Sequence, residues 1–137
     1  MGHPRMFDDA DPVLARVREI ALALPDAAEK VSHGRPTFFT TKTFATYGGS
    51  VRLGPGDHER HDTSLLLRAA DEDELRSMLA DPRCFYPAYV GASGWYGIDL
   101  DDATGWSEIA ELVEESYRVT AGPRRVARLD RDRASRA

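Results

Sequence analysis

The chain has 137 residues, 42 % of them hydrophobic and 30 % charged, the balance of a soluble globular protein large enough for a core of its own. Its one cysteine, Cys84, excludes an internal disulfide and suits a reducing compartment. No apolar run approaches the ~20 residues that cross a bilayer, and residues 1–11 lack the apolar stretch of a signal peptide, so the expectation is a cytoplasmic protein with no membrane partner.

The net charge is −5, unevenly spread. Residues 122–137 hold six arginines against two aspartates, a net of +4, which leaves −9 on residues 1–121. An acidic body does not suit a protein that coats DNA, although a tail or one face can still present the local positive field that phosphate needs.

In chain order, residues 12–24 predict a helix. Asp11 suits the N-cap and Pro12 the first turn. Val13, Leu14, Val17, Ile20, Ala21 and Leu24 form one apolar stripe, and Pro25 stops it. Short β-prone runs follow at residues 30–33, 37–40 and 43–47, rich in Thr, Phe and Tyr. Gly48-Gly49 reads as a hairpin turn, and residues 51–53 either continue the third run or begin another. Gly54-Pro55-Gly56-Asp57 is a turn signal, and the polar stretch through Asp62 reads as an exposed loop.

Residues 64–68, with Leu65, Leu66 and Leu67, predict a strand at the sheet centre. Asp71 caps a short acidic helix over residues 72–80, with Leu75, Met78 and Leu79 inward. Residues 95–100 predict the last strand. A long helix then runs from Thr104 or Gly105 through Thr120, with Trp106, Ile109, Ala110, Leu112, Val113, Ser116 and Tyr117 on its buried face. Gly122-Pro123 ends it. Residues 123–129 are expected to dock as a helix, and residues 130–137 to fray. The region between the first strands and Leu67 lacks crossover helices, so the sheet is antiparallel. The fold class is α+β: a single antiparallel sheet with helices mainly on one face.

Two loop-like stretches, residues 33–44 and 85–95, carry the unusual residues. Arg35 and Lys42 bracket the first strand pair; with Arg52, Arg68 and the tail's Arg124, Arg125 and Arg128 they are candidates for contacting a phosphate backbone. The structural alternative pairs Arg35 with Glu29 and lays Lys42 along a strand end. Trp95, Tyr89, Tyr86 and Phe38 are either a platform for stacking a base or core and rim residues that fix the second loop. His33, Arg35, Lys42, Tyr89 and Trp95 are the walls expected of a cleft between the two loops. Tyr117 is expected to pack on the second loop.

His58 and His61, flanked by carboxylates, are the one metal-like cluster. A flexible loop does not hold three or four convergent ligands, so no metal is expected. Cys84 reads as a small apolar residue at a strand start rather than a thiol activated by Arg83. No nucleophile stands beside His33, no Gly-rich phosphate loop joins a strand to a helix, and neither catalysis nor a cofactor is expected.

A consistent series runs through the chain: Pro25, Glu29, His33-Gly34-Arg35-Pro36, Phe38, Lys42 before Phe44-Ala45, Pro87 with Tyr89, Gly94-Trp95, and Ser116-Tyr117. In this series the chain resembles the MmcQ/YjbR-like family of small bacterial proteins. The one departure is Gly91-Ala92-Ser93, where relatives often carry a basic residue. The resemblance implies a secretion-chaperone-like α+β fold with a curved sheet over residues 12–129, preceded by a flexible segment of residues 1–11 and followed by a basic tail. It also implies DNA as a partner, bound weakly and without strong sequence preference. A protein partner or a homodimer joined through the sheet face is the alternative, and a small-molecule cleft the third.

Overall fold

The computed structural model describes residues 4–136. Helix α1 spans Pro12–Leu22, with the Asp11 side chain accepting from the Val13 N–H at its N-cap. Six strands follow in one sheet: β1 (Ala28–Ser32), β2 (Arg35–Phe39), β3 (Thr43–Gly54), β4 (Asp57–Arg68), β5 (Cys84–Phe85) and β6 (Trp95–Asp99). Their spatial order is β1-β2-β3-β4-β6-β5, and every neighbouring pair is antiparallel. Helix α2 (Glu72–Leu79) lies between β4 and β5, and a 3₁₀ turn at Gly91–Ser93 precedes β6. Helices α3 (Trp106–Thr120) and α4 (Pro123–Arg136) close the chain.

The α+β class and the single antiparallel sheet stand as the sequence predicts. Along β2, β3, β4 and β6, Phe38, Ala45, Tyr47, Leu65, Leu67, Tyr96 and Ile98 are buried. They meet Leu14, Val17 and Ala21 of α1 and Ile109, Val113 and Tyr117 of α3 in one cluster. The helices therefore cover one face. Strand alternation puts Arg35, Thr37, Thr46, Leu66 and Trp95 on the other face.

Three expectations are corrected. The stretch from Asp57 to Asp62 is the first half of β4, paired through Arg52↔His58, Val51↔Glu59 and Gly49↔His61. Its sequence is polar on both faces, because this half of the hairpin reaches past the core and has no apolar side to show. Gly48-Gly49 lies inside β3, where the register with β4 shifts between Tyr47 and Gly49; the true turn is at Pro55-Gly56. Tyr117, expected on the second loop, instead donates its hydroxyl to the Pro25 carbonyl at 2.8 Å, and its ring meets Phe44 edge-on.

The described segments at either end, from Met6 and through Arg136, are tied to the domain. The Met6 N–H donates to the Gly34 carbonyl at 2.9 Å. Helix α4 continues past Asp130 to Arg136, with Leu129 buried, Arg118 on Asp130 and Arg133 on Glu114. Residues 1–3 and 137 of the expected flexible ends lie outside the described residues. Among the described residues no helix is long and apolar enough to cross a membrane.

Candidate functional site

The bare face of the sheet holds a cleft of about 810 Å³. Arg35, Thr37, Thr46, Gly48, Leu66 and Trp95 form its floor. One wall is the turn at Ser32 and His33 with Met6 from the N-terminal segment; another is Ser50, His58 and Arg60 from the long β3–β4 hairpin. The third is Ala88, Tyr89 and Val90 from the loop before β6. Among the described residues no Asp or Glu lines it, although carboxylates outnumber Lys and Arg by 23 to 18 in the chain.

The third wall is fastened to the hairpin. The Ala88 N–H donates to the Ser50 carbonyl at 2.8 Å, and the Tyr89 ring stacks on His58, centroids 5.5 Å apart and nearly parallel at 12°. Tyr89 is 87 % exposed and holds a left-handed backbone, φ 69°, which costs a non-glycine residue on the order of 1–2 kcal/mol. That conformation presents its ring to the cleft mouth.

Arg35 is 8 % exposed. Its Nη2 meets Asp62 Oδ1 at 3.0 Å and the Gly49 carbonyl at 3.4 Å, while Nη1 is buried with no hydrogen-bond partner among the described residues and lies against Gly48. The expected partner, Glu29, is instead taken by Arg18 at 2.8 Å. Asp62 also receives Arg60 at 2.9 Å. Burial alone raises the Asp62 carboxyl, but the hydrogen bonds from Arg60 and Arg35 outweigh it and hold the pKa below the usual carboxylate range.

Of the five residues expected to wall a cleft, His33, Arg35, Tyr89 and Trp95 do so and Lys42 does not. Of the aromatic set, Phe38 is fully buried in the core and Tyr86 sits over Gly91, which leaves Tyr89 and Trp95 at the cleft. The seven cations do not share one face. Arg52 lies in the hairpin arm opposite His58, and Arg68 passes beside Gly94 with its Nε buried and without a partner among the described residues. Lys42 sits at the other end of the sheet from Arg52, in the β2–β3 turn. The tail reaches that same end: Arg125 donates to Thr41 Oγ1 at 3.2 Å, and Arg125 and Arg128 share Asp26. The sequence reading missed His58, Arg60, Thr37, Thr46 and Leu66. The alternation of Arg35 with Thr37 is the one local signal that could have found part of this set.

His58 and His61 are three apart on a regular stretch of strand and so point to opposite faces. No group of three or more metal-capable side chains converges among the described residues. His61 instead donates from Nδ1 to Asp99 at 2.8 Å and from Nε2 to Glu59 at 2.9 Å when protonated, with its ring on Phe85. Burial lowers its pKa, but the bonds to Asp99 and Glu59 and their charges outweigh that, and the pKa is raised. Protonated His61 therefore stabilises the fold fully below the unfolded value of about 6.5, and the contribution is lost as pH rises through the higher folded value. In His61→Gln the stability difference between mildly acidic and mildly basic solution is expected to shrink by up to about 1 kcal/mol, since both carboxylates are partly exposed. Urea unfolding at the two pH values measures it. Burial pushes the Cys84 thiol up to about 11, and its side chain packs, partly buried, against the core.

An antiparallel sheet with helices on one face and a recess on the other defines a small α+β domain of open-faced type. The YjbR family model matches residues 22–119, and the chain belongs to that family. No curated protein and no solved structure matches the chain.

Proposed function

We propose that this is a binding domain whose ligand occupies the cleft on the bare sheet face. The observation that carries the reading is the cleft itself: a recess of about 810 Å³, in the range that encloses a small organic molecule, with aromatic rings at its rim and hydroxyls on its floor. Membership of the YjbR family supports a generic, non-enzymatic role. The test is N-phenyl-1-naphthylamine, a flat neutral dye that brightens in apolar sites. It is expected to bind, and Tyr89→Gly, which removes the stacking ring and suits the left-handed backbone, is expected to weaken it about tenfold. Dye binding unchanged in Tyr89→Gly would sink the reading.

A second reading, DNA bound through its phosphates, is favoured by one observation: the Arg125–Thr41 bond brings Arg125 to the turn that carries Lys42. Weak, salt-sensitive binding of duplex DNA in fluorescence anisotropy, reduced evenly across sequences by Lys42→Ala with Arg124→Ala, is its expected signature. Retained affinity in that double variant would remove it. A protein-binding sheet face has less behind it. Of the exposed apolar side chains, Leu22, Val31, Leu53 and Val119 lie on four different elements.

A further inference from the structure

Resting on the cleft reading, we infer that the ligand is a flat-ringed organic anion, and that Arg60 is the residue that takes its charged group. The charge pattern points there. Arg35, Arg60, His33 and His58 line the cleft and no carboxylate does among the described residues, in a chain of net charge −5. A neutral ligand gives no reason for that segregation; an anion does, because a partly desolvated cleft magnifies like-charge repulsion from any carboxylate at its surface.

The two arginines have different duties. Arg35 is nine-tenths buried and spends its Nη2 on Asp62 and Gly49; it anchors the floor. Arg60 stands at the wall with its side chain 55 % exposed. It presents Nε and Nη2 to the two Asp62 oxygens, at 3.1 and 2.9 Å. A guanidinium carries five N–H donors in a planar fork. Asp62 occupies one edge of the Arg60 fork and aligns it, so the other edge remains for a carboxylate or a phosphate. Beside it, the His58–Tyr89 stack and Trp95 supply the flat surfaces. Charge and stacking thus stand on adjoining walls of one recess.

The experiment compares two dyes of similar shape on the full chain: 8-anilinonaphthalene-1-sulfonate, which is anionic, and N-phenyl-1-naphthylamine, which is not. The sulfonate dye is expected to bind more tightly, and Arg60→Gln to cost it about tenfold, the worth of one charge-assisted hydrogen bond, and to cost the neutral dye, which loses only wall contact, severalfold less. Because Arg60 is exposed, a thermal melt is expected to show the variant folded. Indole-3-carboxylate and adenosine 5′-monophosphate, added at millimolar concentration, then separate the two sources of anion; displacement by either supports the inference and names the group. Equal affinity for both dyes with no effect of Arg60→Gln overturns the anion assignment but leaves the cleft reading standing, as does failure of both competitors. Binding of neither dye overturns both.

Discussion

Ser116→Ala is expected to lower stability by about 2–3 kcal/mol, the cost of leaving two buried backbone groups unpaired. Ser116 is fully buried on α3. Its hydroxyl donates to the Phe44 carbonyl at 2.6 Å and accepts from the Arg68 N–H at 2.9 Å. Pairing of β3 with β4 is continuous through Ala45↔Leu67, and the same register would place Phe44 opposite Arg68. The serine oxygen thus stands in for the next bond of the ladder and ties the helix layer to the sheet at its central strand pair. The melting temperature is expected to fall on the order of 10 °C. Ser116→Thr keeps the hydroxyl and is expected to recover most of the loss. The Arg68 amide is expected to exchange faster with solvent in the alanine variant. A loss under about 0.5 kcal/mol would mean that the strands close and make the direct bond themselves, since a donor and acceptor that find each other incur no such penalty.

How much of this was legible in the sequence depended on the range of the forces involved. The long helix α3 announced itself, because its buried positions repeat every three or four residues along fifteen residues and Gly122-Pro123 marks its end. The central strand was visible in Leu65, Leu66 and Leu67, although their identical character hides that Leu66 faces the cleft and its neighbours the core. The hairpin arm was not visible. A strand whose two faces both meet solvent has no alternation to detect, so residues 57–62 resemble a loop. Gly48-Gly49 misled for a different reason. Paired glycines commonly turn a hairpin, but here Gly48 makes room for Arg35, thirteen residues earlier in the chain, and Gly49 for Leu66, and only the folded sheet brings these partners together. The cleft was half legible on the same grounds. His33, Arg35, Tyr89 and Trp95 belong to two conspicuous loop stretches, whereas Arg60 and His58 enter from the arm. Lys42 was drawn in by its nearness in sequence to Arg35, yet a tight turn carries it outside.

Gly48→Ala is expected to cost about 3 kcal/mol, and its partition tests how the cleft floor is built. Two terms contribute. Gly48 has φ 90°, a left-handed conformation that costs a residue with a Cβ on the order of 1–2 kcal/mol. Its new methyl would also stand 2.1 Å from Arg35 Nη1 and 3.2 Å from the Asp62 carbonyl, which forces the guanidinium to move. A surface arginine would swing away at little expense. Arg35 is buried and held by Asp62 and Gly49, and shifting one member of a buried, paired set exposes the others to unpaired charge. A double-mutant cycle separates the terms. In an Arg35→Met background the steric clash is gone and the backbone term remains, so Gly48→Ala is expected to cost only about 1–1.5 kcal/mol there, a coupling energy of roughly 1.5 kcal/mol. Additive losses would mean that backbone strain accounts for the whole effect and that Arg35 moves freely. In that case the guanidinium is not the fixed floor of the cleft, and Arg60 stands without the aligned Asp62 on which its free edge depends.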